Sequence, residues 1–106
     1  MRPDNSYYMT SQKYFIYSGE LEFFLPWAQS LKDKRQEIKS IKDRIKTRFN
    51  ASVAEVGFKE EWQRALIVVA LVGDDKRLLE REASLMIELI QSGMQAHLNR
   101  VDWCWL

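Results

Sequence analysis

Between Tyr14 and Leu25 the chain alternates. Phe15, Tyr17, Gly19, Leu21, Phe23 and Leu25 share one face, while Ser18, Glu20 and Glu22 share the other with Ile16 and Phe24. Period two over this length predicts a half-buried strand, and Pro26 ends it because proline has no ladder N–H. Ser30 then reads as a helix N-cap with Asp33 at the third helical position. Leu31, Ile38, Ile41, Ile45 and Phe49 recur at helical spacing and mark the buried stripe, with Asn50 as the helix end. Ala51 to Phe58 reads as a second strand, Lys59 to Glu61 as a charged link, and Ala65 to Val72 (ALIVVALV) as a third strand. That third run is apolar on both faces, as suits a central strand, and the short link makes an antiparallel hairpin.

Gly73 breaks the strand, and Asp74 or Asp75 caps a second helix. Leu78, Leu79, Ala83, Met86, Leu89 and Ile90 recur along it at spacings of three and four, and Gly93 serves as C′ because it tolerates positive φ. From Gln95 to Leu106 alternation returns, with Val101, Trp103 and Trp105 on one face and Arg100, Asp102 and Cys104 on the other. The order is β-α-β-β-α-β, the ferredoxin-like arrangement of the α+β class. Two helices then cover one face of a four-stranded antiparallel sheet, and right-handed crossovers give the spatial strand order 4-1-3-2.

Length and composition fit this reading. A chain of 106 residues with 46% hydrophobic and 29% charged residues is one ordinary globular domain. Residues 1–12 read as a flexible N-terminal extension and 13–106 as the domain. The extension has no apolar core of a signal peptide, and no apolar run approaches a membrane span. With a single cysteine, Cys104, the expected compartment is the reducing cytoplasm.

The net charge of +1 hides an asymmetry. Leu31 to Arg48 holds eight basic and three acidic residues, a local net of +5, and the remainder carries −4. Lys32, Arg35, Lys39, Lys42 and Lys46 are spaced 3, 4, 3, 4 and form one stripe. It lies roughly 100° round the helix from the apolar stripe and faces solvent. Asp33, Glu37 and Asp43 are placed on the other side. Like charges at i, i+4 destabilise a helix by a few tenths of a kcal/mol each, which invites a functional reason. A polyanion is the natural partner, and a lysine-rich solvated face is the plain alternative. Lys34 projects onto the apolar stripe. Its stem is expected to pack there with the amine reaching solvent, in preference to a pair with a sheet carboxylate.

The sheet face gives a contrary signal. Glu20, Glu22, Asp102 and Cys104 are expected on the uncovered side, joined by Glu55 if Val53 and Glu55 face outward. RNA-recognition-motif domains share this strand order but stack bases on aromatics of the central strands. ALIVVALV offers neither an aromatic nor a cation, so nucleic acid is expected on the helical side. Trp62, Gln63 and Arg64 stand where the hairpin returns. Local packing is the plain reading for Trp62, with Trp62 and Arg64 as candidates for a second RNA contact. Trp27 is either a hydrophobic staple or an anchor beside the stripe.

Catalytic signatures are missing from the sequence, and the expectation is a protein that is not an enzyme. His97 and Cys104 are single, and by strand parity they point to opposite faces, so neither a metal cluster nor a Cys–His pair is expected. The four glycines form no phosphate-cradling loop. Acylphosphatases share the fold but need an arginine in the loop after the first strand, and PWAQS has none. No cofactor is expected.

SLKDKR (Ser30 to Arg35), with Pro26 upstream, RFNASVAEV (Arg48 to Val56) and WQRA (Trp62 to Ala65) resemble the YlxP-like family of small bacterial proteins, catalogued as a domain of unknown function. The resemblance runs from about Phe15 to Leu106. Its matching residues are Ser30, Leu31, Lys32, Lys34, Arg35, Arg48, Phe49, Asn50, Glu55, Trp62, Gln63 and Arg64. The chain departs from the family in its N-terminal extension, at Gly57–Phe58 and in its WCWL end. The resemblance implies the same ferredoxin-like fold, a cytosolic setting and, because members are often encoded near translation and ribosome-maturation factors, an RNA or ribosome role. The expected function is therefore association with RNA or a ribosomal particle through the first helix, by Lys32, Arg35, Lys39, Lys42 and Lys46 with Trp62 and Arg64. The alternative is a protein-interaction or homo-oligomer module that uses the sheet face (Ile16, Phe24) or an edge strand.

Overall fold

The computed structural model describes residues 13–106, so the expected extension over residues 1–12 lies outside the described residues. The elements are β1 (Phe15–Phe24), α1 (Leu31–Arg48), β2 (Ala51–Gly57), β3 (Arg64–Gly73), α2 (Lys76–Gln91) and β4 (His97–Trp105). The strands pair antiparallel in the order β2-β3-β1-β4, the expected 4-1-3-2 read from the other edge. Leu21, Phe23, Ala65, Ile67, Val69 and Leu71 of the sheet form one core with Ile38, Ile41 and Ile45 of α1 and Leu79, Ala83, Met86 and Ile90 of α2. Both helices therefore bury the same face of the sheet.

Local chemistry sets the boundaries. The Ser30 hydroxyl accepts the Asp33 N–H at 3.0 Å, and the Asp33 carboxylate accepts the Gln29 N–H at 3.0 Å. Such a cap is worth about 1 kcal/mol and fixes where α1 begins. The helix ends at Arg48, and Phe49 rather than Asn50 is its C-cap, its N–H donating to Ile45. Of the two aspartates before α2, Asp75 is the cap, accepting the N–H groups of Arg77 and Leu78. β2 stops at Gly57 because Phe58 turns the hairpin at φ 57°.

The last strand closes by aromatic packing. Tyr17 stacks on Trp103 and Trp105, with ring centroids 5.0 and 3.9 Å apart. Gly19 makes this possible: a Cβ there would stand 2.5 Å from the Trp103 ring.

One expectation about β4 is corrected. A bulge shifts the register, so that Arg100 pairs with Glu22 but Leu98 with Phe23 and His97 with Phe24. The extra residue reverses the parity of the strand's first residues. His97 and Cys104 consequently lie on the same, uncovered face, opposite Phe24 and Ser18. Six residue steps along β1 still separate them, roughly 20 Å.

Candidate nucleic-acid interface

α1 packs along β2, the edge strand, and its two flanks face different surroundings. On the inner flank Glu37 accepts the N–H groups of Gln95 and Ala96 at 3.1 and 3.3 Å. Arg44 and Arg48 share that side, and the groove they line with Leu89 of α2 runs across the solvent side of α1 to Lys39 and Asp43. The outer flank carries the stripe. Lys32, Arg35, Lys39 and Lys46 are exposed and Lys42 is half-buried. Lys46 reaches the β2 edge beside Asn50, Ala51, Ser52 and Val53.

Pairing within the stripe is sparse. Among the described residues, Lys32, Arg35, Lys42 and Lys46 make no ion pair. Lys39 does, with Asp43 at 2.7 Å, so Asp43 lies beside the stripe and not on the other side of the helix as expected. The hydrogen bond from Lys39 holds the Asp43 carboxyl below its ordinary range, and the charges of Lys39, Lys46 and Lys42 act in the same direction. The same bond raises the Lys39 ammonium.

Lys34 corrects a second expectation. Its side chain packs in the core, but its amine does not reach solvent. The residue is 1% exposed. Nζ donates to the Phe58 carbonyl at 2.5 Å and the Glu61 carbonyl at 2.8 Å. The Glu55 carboxylate lies 3.0 Å away as its charge partner. The ammonium thus has two carbonyl acceptors and a carboxylate counter-charge, which is what makes a buried lysine tolerable. Glu55 Oε2 accepts no well-formed hydrogen bond, so its link to Lys34 is Coulombic. Glu55 accordingly faces the helices and not the uncovered side. The alternation of β2 places Ala51, Val53 and Glu55 inward, and Lys34 supplies the charge that a carboxylate needs there.

This clasp docks the β2–β3 hairpin against the first turn of α1. Gln63 adds a second tie, its Nε2 donating to the carbonyls of Pro26 at 2.9 Å and Ala28 at 3.3 Å. The loop between Phe58 and Gln63 is therefore fixed at both ends. On it, Trp62 is 51% exposed, and across from it Trp27 is 38% exposed in the β1–α1 loop.

Arg64 is placed differently. It lies on the uncovered side, over the Phe58 ring at 3.7 Å, with Glu22 at 3.4 Å and Glu61 at 3.7 Å. The structure brings Trp62 to the end of the sheet where the stripe begins, and it does not bring Arg64 to the stripe.

The family model described as "Protein of unknown function (DUF503)" matches residues 16–103. The chain belongs to the DUF503 family. The uncharacterized protein YlxP of Bacillus subtilis (strain 168) is 31% identical over 87 residues, covering 80% of this chain and 95% of that protein. The de novo designed protein Foldit4 aligns with a TM-score of 0.49 at 18% identity, over 89% of this chain and 97% of that one.

With membership shown, the motif residues divide by what they do. Ser30, Lys34, Glu55 and Gln63 hold the helix start and the hairpin together. Phe49 packs against the core. Lys32 and Arg35 have no partner and Trp62 no ring contact, among the described residues, so the fold leaves these three free. Sequence reasoning missed Arg44 and Arg48 as part of the basic surface. Their i, i+4 spacing was visible, but only the position of α2 turns them into one wall of a groove.

Proposed function

We propose that this protein binds RNA through the outer surface of α1, with a ribosomal particle as the setting. Phosphates lie along Lys32, Arg35, Lys39, Lys42 and Lys46, a row about 21 Å long at 1.5 Å per residue. Trp62 offers an exposed ring on a fixed loop for stacking, and Arg44 and Arg48 extend the positive surface toward α2. One observation carries the reading. Arg64, Arg100 and Lys34 are each engaged by carboxylates, whereas among the described residues four of the five stripe cations are held by none. An alternating row of unpaired cations stands ready to displace counterions from a polyanion. The acidic groups of the uncovered face confine this attraction to one side.

The test is binding of a single-stranded RNA, and of ribosomal particles, across a salt series. Four or five phosphates on a single strand give a slope of log K against log salt of about −3. Reversal of Lys32, Arg35 and Lys39 to Glu should abolish association at moderate salt with the melting curve nearly unchanged. If the triple variant binds as the parent does at low salt, the stripe is not the site.

A further inference from the structure

Strand β3 carries more apolar surface than the helices cover. Ala65, Ile67, Val69 and Leu71 are fully buried, while Leu66, Val68, Ala70 and Val72 point the other way. Strands that are apolar on both sides belong where both sides are covered. The neighbours extend this surface: Ile16 pairs with Val72, Ala54 with Val68, and Val56 bulges beside Leu66. Val72 is 54% and Val56 51% exposed. The result is one apolar area across β2, β3 and the start of β1.

The remainder of the face is charged but closed on itself. Arg100 reaches Glu20 at 3.3 Å, Glu22 at 3.4 Å, and Asp102. Arg64 reaches Glu22 from the other side at 3.4 Å. Each of these carboxylates is answered within the face, so the face can meet its own copy without opposing unpaired like charges. A strongly acidic or basic partner gains little from it.

Size narrows the occupant further. Four strands at about 4.8 Å spacing, with about eight residues at 3.3 Å, give a footprint of about 500 Å². A standard interface buries about 800 Å² of accessible surface per partner, so the whole face is needed. A helix about 10 Å across covers roughly half the width. A second sheet covers it all, and low valine and alanine side chains suit the spacing of about 10 Å between packed sheets.

We propose that this face is where two copies of the chain associate, sheet on sheet, with β3 of one copy against β3 of the other. The contact is isologous, with the apolar area at its centre and the Arg100 cluster at its rim. The helices then point outward, and the basic surface of α1 stays accessible in the dimer. The proposal is independent of the RNA reading.

Sedimentation equilibrium of the full chain over a wide concentration range tests it. The expected result is a reversible monomer–dimer equilibrium. Val68→Glu should raise the dissociation constant roughly tenfold or more, since it puts a charge at the interface centre. The more exposed Val72→Ser, which leaves the monomer fold undisturbed, should weaken association by a smaller factor. Lys39→Glu should leave it unchanged. A monomer at every concentration overturns the proposal, as does a dimer insensitive to both valine substitutions.

Discussion

The two broad faces of this molecule use charge in opposite ways. On the uncovered sheet face, Arg64 and Arg100 are each held by two or more carboxylates. On the helical face, four of the five stripe cations are held by none among the described residues. Both faces meet water, and both are rich in ionisable groups. The difference lies in pairing. A paired surface is electrostatically quiet and can be covered by an equally quiet partner. An unpaired row is a standing attraction for anions. Charge composition alone is therefore a poor guide to partners, because it counts both arrangements alike.

Lys34 belongs to the same helix as the stripe but is wholly paired. Lys34→Met leaves Glu55 and two carbonyls without a partner in the interior, and should destabilise the fold by about 3–5 kcal/mol. Lys32→Met, two residues away in water, should change stability by no more than about 0.5 kcal/mol. Chemical denaturation of the two variants side by side checks this. Equal losses would mean that the clasp is not what separates these two lysines.

A smaller effect is expected at Arg100. Arg100→Ser frees Glu20, Glu22 and Asp102 on the sheet face, so the quiet surface becomes acidic. Dimer association should weaken several-fold, while RNA affinity changes little because the charge lies on the far side of the sheet. Sedimentation and RNA titration of the one variant separate the faces. Equal losses in both assays would show that the two surfaces are not distinct.

The smallest effect concerns Asp43, the one anion among the described residues that pairs with the stripe. Asp43→Asn frees Lys39 and should raise RNA affinity a few-fold at low salt, with the gain vanishing at high salt. The pH dependence follows from the shifts. The lowered Asp43 carboxyl contributes stability that is present above its unfolded value near pH 3.9 and is lost as pH falls through its folded one. The raised Lys39 ammonium contributes stability that is present below its unfolded value near pH 10.4 and is lost as pH rises through its folded one. The difference between Asp43→Asn and the parent should therefore be flat from about pH 5 to 9. A slope in melting temperature difference across that range would assign the effect to another group.

The fold was legible because local signals agreed with one another. Alternation marked β1 and β4, the doubly apolar run marked β3, and Ser30 with Asp33 marked the start of α1. The basic stripe was equally legible, since helical periodicity alone places five residues on one flank. What could not be read involved contacts between segments. The strand β2 has no strong alternation of its own, and only the buried Lys34 amine makes it favourable for Glu55 to face inward. The bulge in β4 that brings His97 and Cys104 to one face is set by pairing with β1 and has no local sequence mark.

The elements, their order and the charge of α1 follow from local sequence, because periodicity and capping act within a few residues. Which charges are neutralised depends on long-range packing. Lys34 finds Glu55 21 residues away, and Arg100 finds Glu20 and Glu22 80 and 78 residues away, in strands whose register no local pattern fixes. The same packing left four of the five stripe cations of α1 without a carboxylate partner among the described residues, and that is the property on which its proposed function rests.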